Sequence, residues 1–259
     1  MVRAVDELQT YREAARGRGV PESVIDWWLQ LARPLAGLHK HGDGSVVGQF
    51  GGNPSLPADT EWPVDRSQGY ESPIPFIASV DCGALPPGTL DIAVPEDGCL
   101  LFFAQNEYFG ESQVLYVPAG TPTTERTAPP GRHDSGEYAT ETYDRFPLHH
   151  ARHWNLPANS DVSVRSFGDD SPYHQYELGK LWWHLGYALD TGEMTLGGYY
   201  TPVQDDPRGD ESWVLLAETS VNEDTFGDEG EDGIMYWVIR REDLVERRFD
   251  RTETVKFTM

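Results

Sequence analysis

Three histidines lie close together in the run LHHARHW: His149, His150 and His153. On a helix, His150 and His153 would share a face at i, i+3 spacing, as zinc ligands do. Pro147 and Pro157 flank the segment and leave little room for such a helix, and no glutamate stands between the histidines as in HExxH. The expectation is therefore surface or loop histidines, with no metal. The run Asp224–Asp232, DTFGDEGED, suggests calcium by its composition. An EF-hand loop wants oxygen ligands at its first, third and fifth positions and then glycine, and this spacing fails. It reads as an acidic loop.

A second group is Gln204, Asp205, Asp206 and Arg208, with Tyr199 just before it and Glu218 just after. Two readings stay open. An Arg–carboxylate fork could tie a loop to the body. Alternatively, Tyr199, Gln204, Asp205, Asp206, Arg208 and Glu218 could hold a small ligand. The aromatics Tyr199, Tyr200, Trp213, Tyr236 and Trp237 could likewise line a groove for a cation or a sugar, or pack a core. Cys82 and Cys99 sit among apolar neighbours and acids, which raise a thiol's pKa and make it inert. There is no GxSxG elbow, no GxxxxGK[ST] phosphate loop and no GxGxxG after a strand. No catalytic residue can be assigned, and no cofactor is called for.

The elements that must position these residues follow from pattern. Val5, Leu8, Tyr11 and Ala15 have helical spacing, closed by Gly17 and Gly19. Pro21-Glu22-Ser23 announces a second helix running through Trp28 to Leu35, with Pro34 ending or kinking it. After Gly42 the texture turns to short β-type runs: Ser45–Gln49, Ile74–Asp81, Cys99–Ala104, Gln113–Val117, Trp213–Thr219, Ile234–Ile239 and a last strand Glu253–Thr258. Residues 118–178 are rich in proline and weak in periodicity. They read as a long irregular excursion, with one or two short strands near Val162–Val164. Glu177–His184 reads as a short helix or strand that buries Trp182 and Trp183.

Two stretches repeat one order of features. Gly51-Gly52, PFIASVD and Asp97-Gly98 before CLLFFA are echoed by Gly197-Gly198, WVLLAETS and Asp232-Gly233 before IMYWVI. A duplicated β unit would bury two apolar faces against each other. The fold class expected is α+β: mostly antiparallel sheets from two loosely duplicated halves, with two N-terminal helices packed on the body. The segments are 1–41, helical, and 42–259, with halves at about 45–117 and 179–250.

The 259 residues carry 43 Asp and Glu against 20 Lys and Arg, with a pI near 4.5. Both ends are near balance, so the excess lies between residues 42 and 239, densest at 205–232, where eleven acids face one base, Arg208. Such a chain repels phosphate backbones, which makes nucleic acid a poor partner. It attracts basic proteins, or simply stays soluble. No apolar run approaches the length of a membrane span. The N-terminus shows no signal-peptide pattern, and two cysteines make no disulfide framework, so a reducing cytoplasm is the expected location.

Gly51-Gly52-Asn53-Pro54-Ser55-Leu56-Pro57 followed by Trp62-Pro63 resembles the opening motif of the YwqG-like family of uncharacterised bacterial proteins. Gly197-Gly198-Tyr199 through Gln204-Asp205-Asp206-Pro207-Arg208 resembles its second motif, and Phe226-Gly227-Asp228 before Met235-Tyr236-Trp237 its third. The likeness spans roughly residues 45–250. The chain departs from it in the expanded 118–178 segment and in Ala217-Glu218, where that family often has Leu-Gln. The resemblance implies an α+β domain with internal duplication and carries over no catalytic residue. The functional expectation is a non-catalytic binding module, immunity-type or regulatory, that offers an acidic face to a basic protein. The alternative is an enzyme or small-molecule binder using a cleft between the halves.

Overall fold

The computed structural model describes residues 2–67, 69–106, 111–133, 136–157, 178–181, 190–204, 207–208, 210–227 and 232–258. Val2–Gly17 forms helix α1 and Glu22–Gln30 helix α2. Their apolar positions face each other. Tyr11, Ala15, Val24, Ile25 and Trp28 are buried in a cluster of their own, which Leu156, Leu178 and Leu181 complete. Tyr11 and Trp28 meet edge to face at 5.6 Å, and the Trp28 indole N–H donates to the Pro157 carbonyl at 3.4 Å. Arg12 ties the pair at its rim, 2.8 Å from Glu22 and 2.6 Å from Asp26.

The sequence pattern carries α2 to Leu35, but the helix stops at Gln30. Pro34 cannot donate an intrahelical hydrogen bond, and it drives the residue before it into an extended conformation. Arg33–His39 is accordingly strand β1. The first stretch then continues with β2 (Val46–Phe50), β3 (Ser55–Pro57), β4 (Val64–Asp65), β5 (Ser72–Pro73), β6 (Phe76–Asp81), β7 (Cys99–Ala104) and β8 (Ser112–Val117). Next come β9 (Thr123–Glu125), β10 (Gly131–His133), β11 (Gly136–Tyr138) and the long β12 (Phe146–Asn155). The last stretch holds β13 (Met194–Leu196), β14 (Trp213–Val221), β15 (Gly233–Arg240) and β16 (Glu253–Thr258).

Ten of these strands make one antiparallel sheet in the order β16-β15-β14-β13-β1-β12-β2-β6-β7-β8. The sheet curls until its two edges nearly meet. There the Thr254 and Ser112 hydroxyls bond, and the Lys256 ammonium donates to the carbonyl and side-chain oxygens of Asn106 at 3.0 and 2.9 Å. Read from either edge, the order has the same form. β2-β6-β7-β8 matches β13-β14-β15-β16, and β1 and β12 pair in the middle. Each matching run opens with a strand followed by two glycines of positive φ: Gly51 (59°) and Gly52 (68°), Gly197 (70°) and Gly198 (74°). The leading strands are exchanged: β1 precedes β2 in sequence but lies against β13, while β12 precedes β13 and lies against β2.

Both faces of β7 and β15 are covered, which is why CLLFFA and IMYWVI read as continuous apolar runs instead of alternating ones. Leu100, Phe102, Met235 and Trp237 point to the shared interior with Ala36, Leu38 and Phe50. Leu101 and Phe103 face outward under Leu56 and Trp62, and Tyr236 and Val238 face outward beside Tyr200.

The 118–155 part of the supposed irregular excursion holds three short strands and β12, at the centre of the sheet. Its polar sequence hides it, because much of β12 is half-buried and α1 lies across it. The expected short strands near Val162–Val164, and Trp182 and Trp183, lie outside the described residues; residues 178–181 are helical.

Candidate functional site

The second glycine turn organises most of the polar residues singled out above. The backbone N–H of Gly198 donates to Asp91 at 2.7 Å, and a Cβ on Gly197 would come within 2.9 Å of the same carboxylate oxygen. Beyond the turn, Asn155 at the end of β12 grips the backbone of Tyr199 on both sides. Its side-chain oxygen accepts from the Tyr199 N–H at 3.0 Å and its amide donates to the Tyr199 carbonyl at 2.7 Å. The Tyr199 hydroxyl donates to the Leu31 carbonyl at 2.9 Å, and the Arg33 guanidinium lies 4.1 Å over its ring. Tyr199 and Tyr200 are both buried.

Glu218, in the middle of β14, accepts the backbone N–H of Thr201 at 2.9 Å and its hydroxyl at 2.7 Å. Tyr236, its cross-strand neighbour, donates its hydroxyl to the Thr201 carbonyl. Burial raises the Glu218 pKa to about 7, against the opposing effect of the two bonds from Thr201. Arg208 is buried with its guanidinium 5.0 Å over the Tyr200 ring. Gln204 lies farther out, donating to the Thr258 carbonyl at 3.1 Å. Asp205 and Asp206 lie outside the described residues. The structure thus joins Tyr199 and Glu218 through the segment 199–204, laid over the outer face of β14 and β15, with Arg208 stacked on Tyr200 of that segment. The hydrogen bonds of Glu218, Tyr199 and Gln204 run to that segment, to Asn155 at the end of β12, to the chain entering β1 and to β16. Such bonds hold a loop.

The histidine run is a strand, not a helix, so the i, i+3 face does not exist. In β12 the alternation of side chains sends His149 and His153 to one face and His150 to the other. His149 Nδ1 lies 3.0 Å from the Gly44 carbonyl. His150 has a buried Nε2 without a hydrogen-bond partner, and burial lowers its pKa. His153 meets a residue 114 positions away that no spacing pairs with it, His39 of β1, with 3.3 Å between their Nε2 atoms.

A cavity of about 910 Å³ opens beside the near-closed edges of the sheet, lined among others by Asp65, Tyr70, Gln105, Asn106, Tyr138 and Glu141. Tyr138 bonds Ser72 at 2.7 Å, and Glu141 accepts the Tyr143 hydroxyl at 2.8 Å. Neither Gln204, Arg208 nor Glu218 is in its wall. Sequence reasoning missed it because its lining comes from the loops around β4, β5, β10 and β11, each too short to show a pattern.

Cys82 and Cys99 are free thiols, and burial pushes their pKa values to about 12 and about 11. At pH 8 the folded protein should alkylate with iodoacetamide at least about a hundredfold more slowly than the unfolded chain, because the thiolate is the reacting species. Mass spectrometry of timed samples checks this.

A family model described as a domain of unknown function, DUF1963, matches residues 48–255. A comparison with curated proteins returned no match. The matched span starts in β2 and ends in β16, and so takes in both glycine turns, the central β12 and the Thr201–Glu218 contact. With most of its length inside that match, the chain belongs to the DUF1963 family, a domain of unknown function.

Proposed function

We propose that this protein is a non-catalytic binding module whose acidic contact surface is the connection between β14 and β15. One observation carries the reading: Glu223, Asp224 and Asp232 are exposed in that connection, and among the described residues none of them is in an ion pair. The short helix Glu223–Phe226 is built to hold the first two of these charges outward. Asn222 caps it, accepting from the backbone N–H groups of Asp224 at 3.0 Å and Thr225 at 3.2 Å, and the Thr225 hydroxyl accepts in return from the Asn222 N–H. Phe226 anchors it, edge-on to Phe50 at 5.9 Å and to Tyr143 at 4.7 Å. Asp210 and Glu211, equally exposed, stand at the opposite end of the nine-residue β14, so the acidic stretch of the sequence is divided between two ends of the sheet.

Exposed carboxylates at Glu223, Asp224 and Asp232 suit a basic protein partner, since complementary fields set association rate and orientation. The likeness of the glycine-turn motifs to the YwqG-like family, which brings no catalytic residue with it, is in keeping with this reading, as is a cytoplasmic setting for the two free thiols.

The test is affinity capture at low salt, followed by binding measurements with the captured basic protein. The triple variant Glu223→Gln, Asp224→Asn, Asp232→Asn should weaken binding about tenfold or more and flatten its salt dependence. The double variant Asp210→Asn, Glu211→Gln should bind as wild type does. Equal loss in both variants, or no basic protein retained at low salt, would overturn the proposal.

A further inference from the structure

We infer that His39 and His153 form a two-histidine site for a divalent transition-metal ion of the zinc or copper type. The register of β1 and β12 pairs Leu35 with His153, Gly37 with Ala151 and His39 with His149, so His39 and His153 lie diagonally on one face. Gly37 sits between them, and its missing side chain makes the approach possible. A Cβ there would lie 2.6 Å from Cδ2 and 2.9 Å from Nε2 of His153. The His153 ring therefore crosses Gly37 and brings its Nε2 to 3.3 Å from Nε2 of His39.

That separation is the bite of a tetrahedral metal. Two imidazole nitrogens each about 2.0–2.1 Å from one ion, at the tetrahedral angle, stand about 3.3–3.4 Å apart. The protonation of His153 suits the role. Its Nδ1 is 2.9 Å from a carboxylate oxygen of Glu7, which only accepts, so Nδ1 carries the proton and Nε2 presents its lone pair. Glu7 is itself fixed, because its other oxygen accepts the Trp154 backbone N–H at 2.9 Å. On the far side, His39 Nδ1 faces Asp190 at 3.8 Å. His153 thus has a hydrogen-bonded carboxylate behind it, the arrangement that orients histidine ligands, and His39 has one nearby. The carbonyl of Thr191 would come 2.7 Å from the same added Cβ on Gly37, which places an oxygen donor beside the pair.

The histidine side chains are 16% and 11% exposed, dry enough to favour a charged ligand bond and still open to solvent on one side. Among the described residues no group of three or more His, Cys, Asp or Glu side chains gathers as a ligand set. The protein side chains supply two nitrogens, and water or the Thr191 carbonyl fills the remaining positions. Imidazole ligands favour zinc and copper over magnesium or calcium.

The full chain, freed of metal by dialysis against EDTA and then against buffer, is titrated with zinc sulfate by calorimetry and with copper chloride by electron paramagnetic resonance. One ion per chain should bind, and the copper spectrum should show coupling to two equatorial nitrogens. His39→Ala and His153→Ala should each remove the stoichiometric event, Glu7→Gln should weaken it about ten- to a hundredfold, and His149→Ala should leave it intact. Circular dichroism confirms that each variant is folded; where an alanine variant is not, His39→Gln or His153→Gln replaces it. No stoichiometric uptake by the wild type, or uptake that survives in the folded His39 and His153 variants, would overturn the inference and leave the pair as two rings sharing a single proton.

Discussion

Gly51→Ala should be among the most damaging single substitutions in this protein, costing about 4 kcal/mol or more and lowering the melting temperature by roughly 8–16 °C. Two independent effects add. The backbone at Gly51 has φ 59°, a conformation that costs an L-residue about 1–2 kcal/mol. A Cβ there would also stand 2.2 Å from the Asp144 carbonyl oxygen and 2.6 Å from that of Tyr143. Both are backbone atoms at the entry to β12 and cannot rotate away. Separating them strains two bonds that join the turn to its neighbours: Gly51 N–H to the Ile77 carbonyl at 2.7 Å and Gly52 N–H to the Tyr143 carbonyl at 2.9 Å. Gly227 is the control. Its φ is 72°, and nothing lies within 4 Å of an added Cβ. With ψ −171° this residue sits in a region essentially reserved for glycine, so Gly227→Ala should show only a backbone cost, about 1–3 kcal/mol. Thermal melts of the two variants side by side separate close packing from conformational preference, and equal losses would remove the steric argument.

Glu218→Ala is expected to cost about 2–3 kcal/mol, because it leaves the Thr201 N–H and hydroxyl facing a buried space with no acceptor. Glu218→Gln is the more informative change, since an amide can accept from the N–H and donate to the hydroxyl in the same place. Its effect depends on pH. The folded-state pKa of Glu218 is raised by burial from its ordinary 4.5 to about 7, so between those values the folded protein holds a proton that the unfolded chain releases. The stabilising contribution of that proton is complete below about pH 4.5 and disappears as pH rises through 7. Melting temperatures measured from pH 5 to pH 8 should therefore show the glutamine variant gaining on the wild type as pH increases. A constant gap across that range would mean that Glu218 stays charged in the folded state.

Where a strand is apolar on both faces, its ends could be read closely. Cys99–Ala104 begins and ends as the pattern indicates, and Trp213–Thr219 and Ile234–Ile239 fall short by only one or two residues; the polar edge strand Glu253–Thr258 also keeps its expected ends. The centre of the sheet escaped. β13 has three residues, too few for a period, and β1 follows so closely on α2 that its leucines join the helical pattern. β12 looks like a loop because Arg152 and His153 interrupt its apolar residues; what shelters His153 is Glu7, 146 positions earlier. The chemistry was harder to read for the same reason. The spacing of His149, His150 and His153 was visible, but His153 finds its neighbour through the β1–β12 register. Glu218 is legible as one polar member of a candidate group, while its attachment to Thr201 depends on how the glycine turn lays the following segment back over β14.

The exchange of leading strands across the middle of the sheet has a consequence for how the molecule holds together. Each half is clasped by a strand that the other half supplies, so neither β2-β6-β7-β8 nor β13-β14-β15-β16 has a complete border without its counterpart. Cutting the chain between β8 and β12 would leave two fragments, each presenting a bare edge and carrying the strip that fits the other. Such an interlock denies either side an independent life: the halves must fold, and come apart, as one.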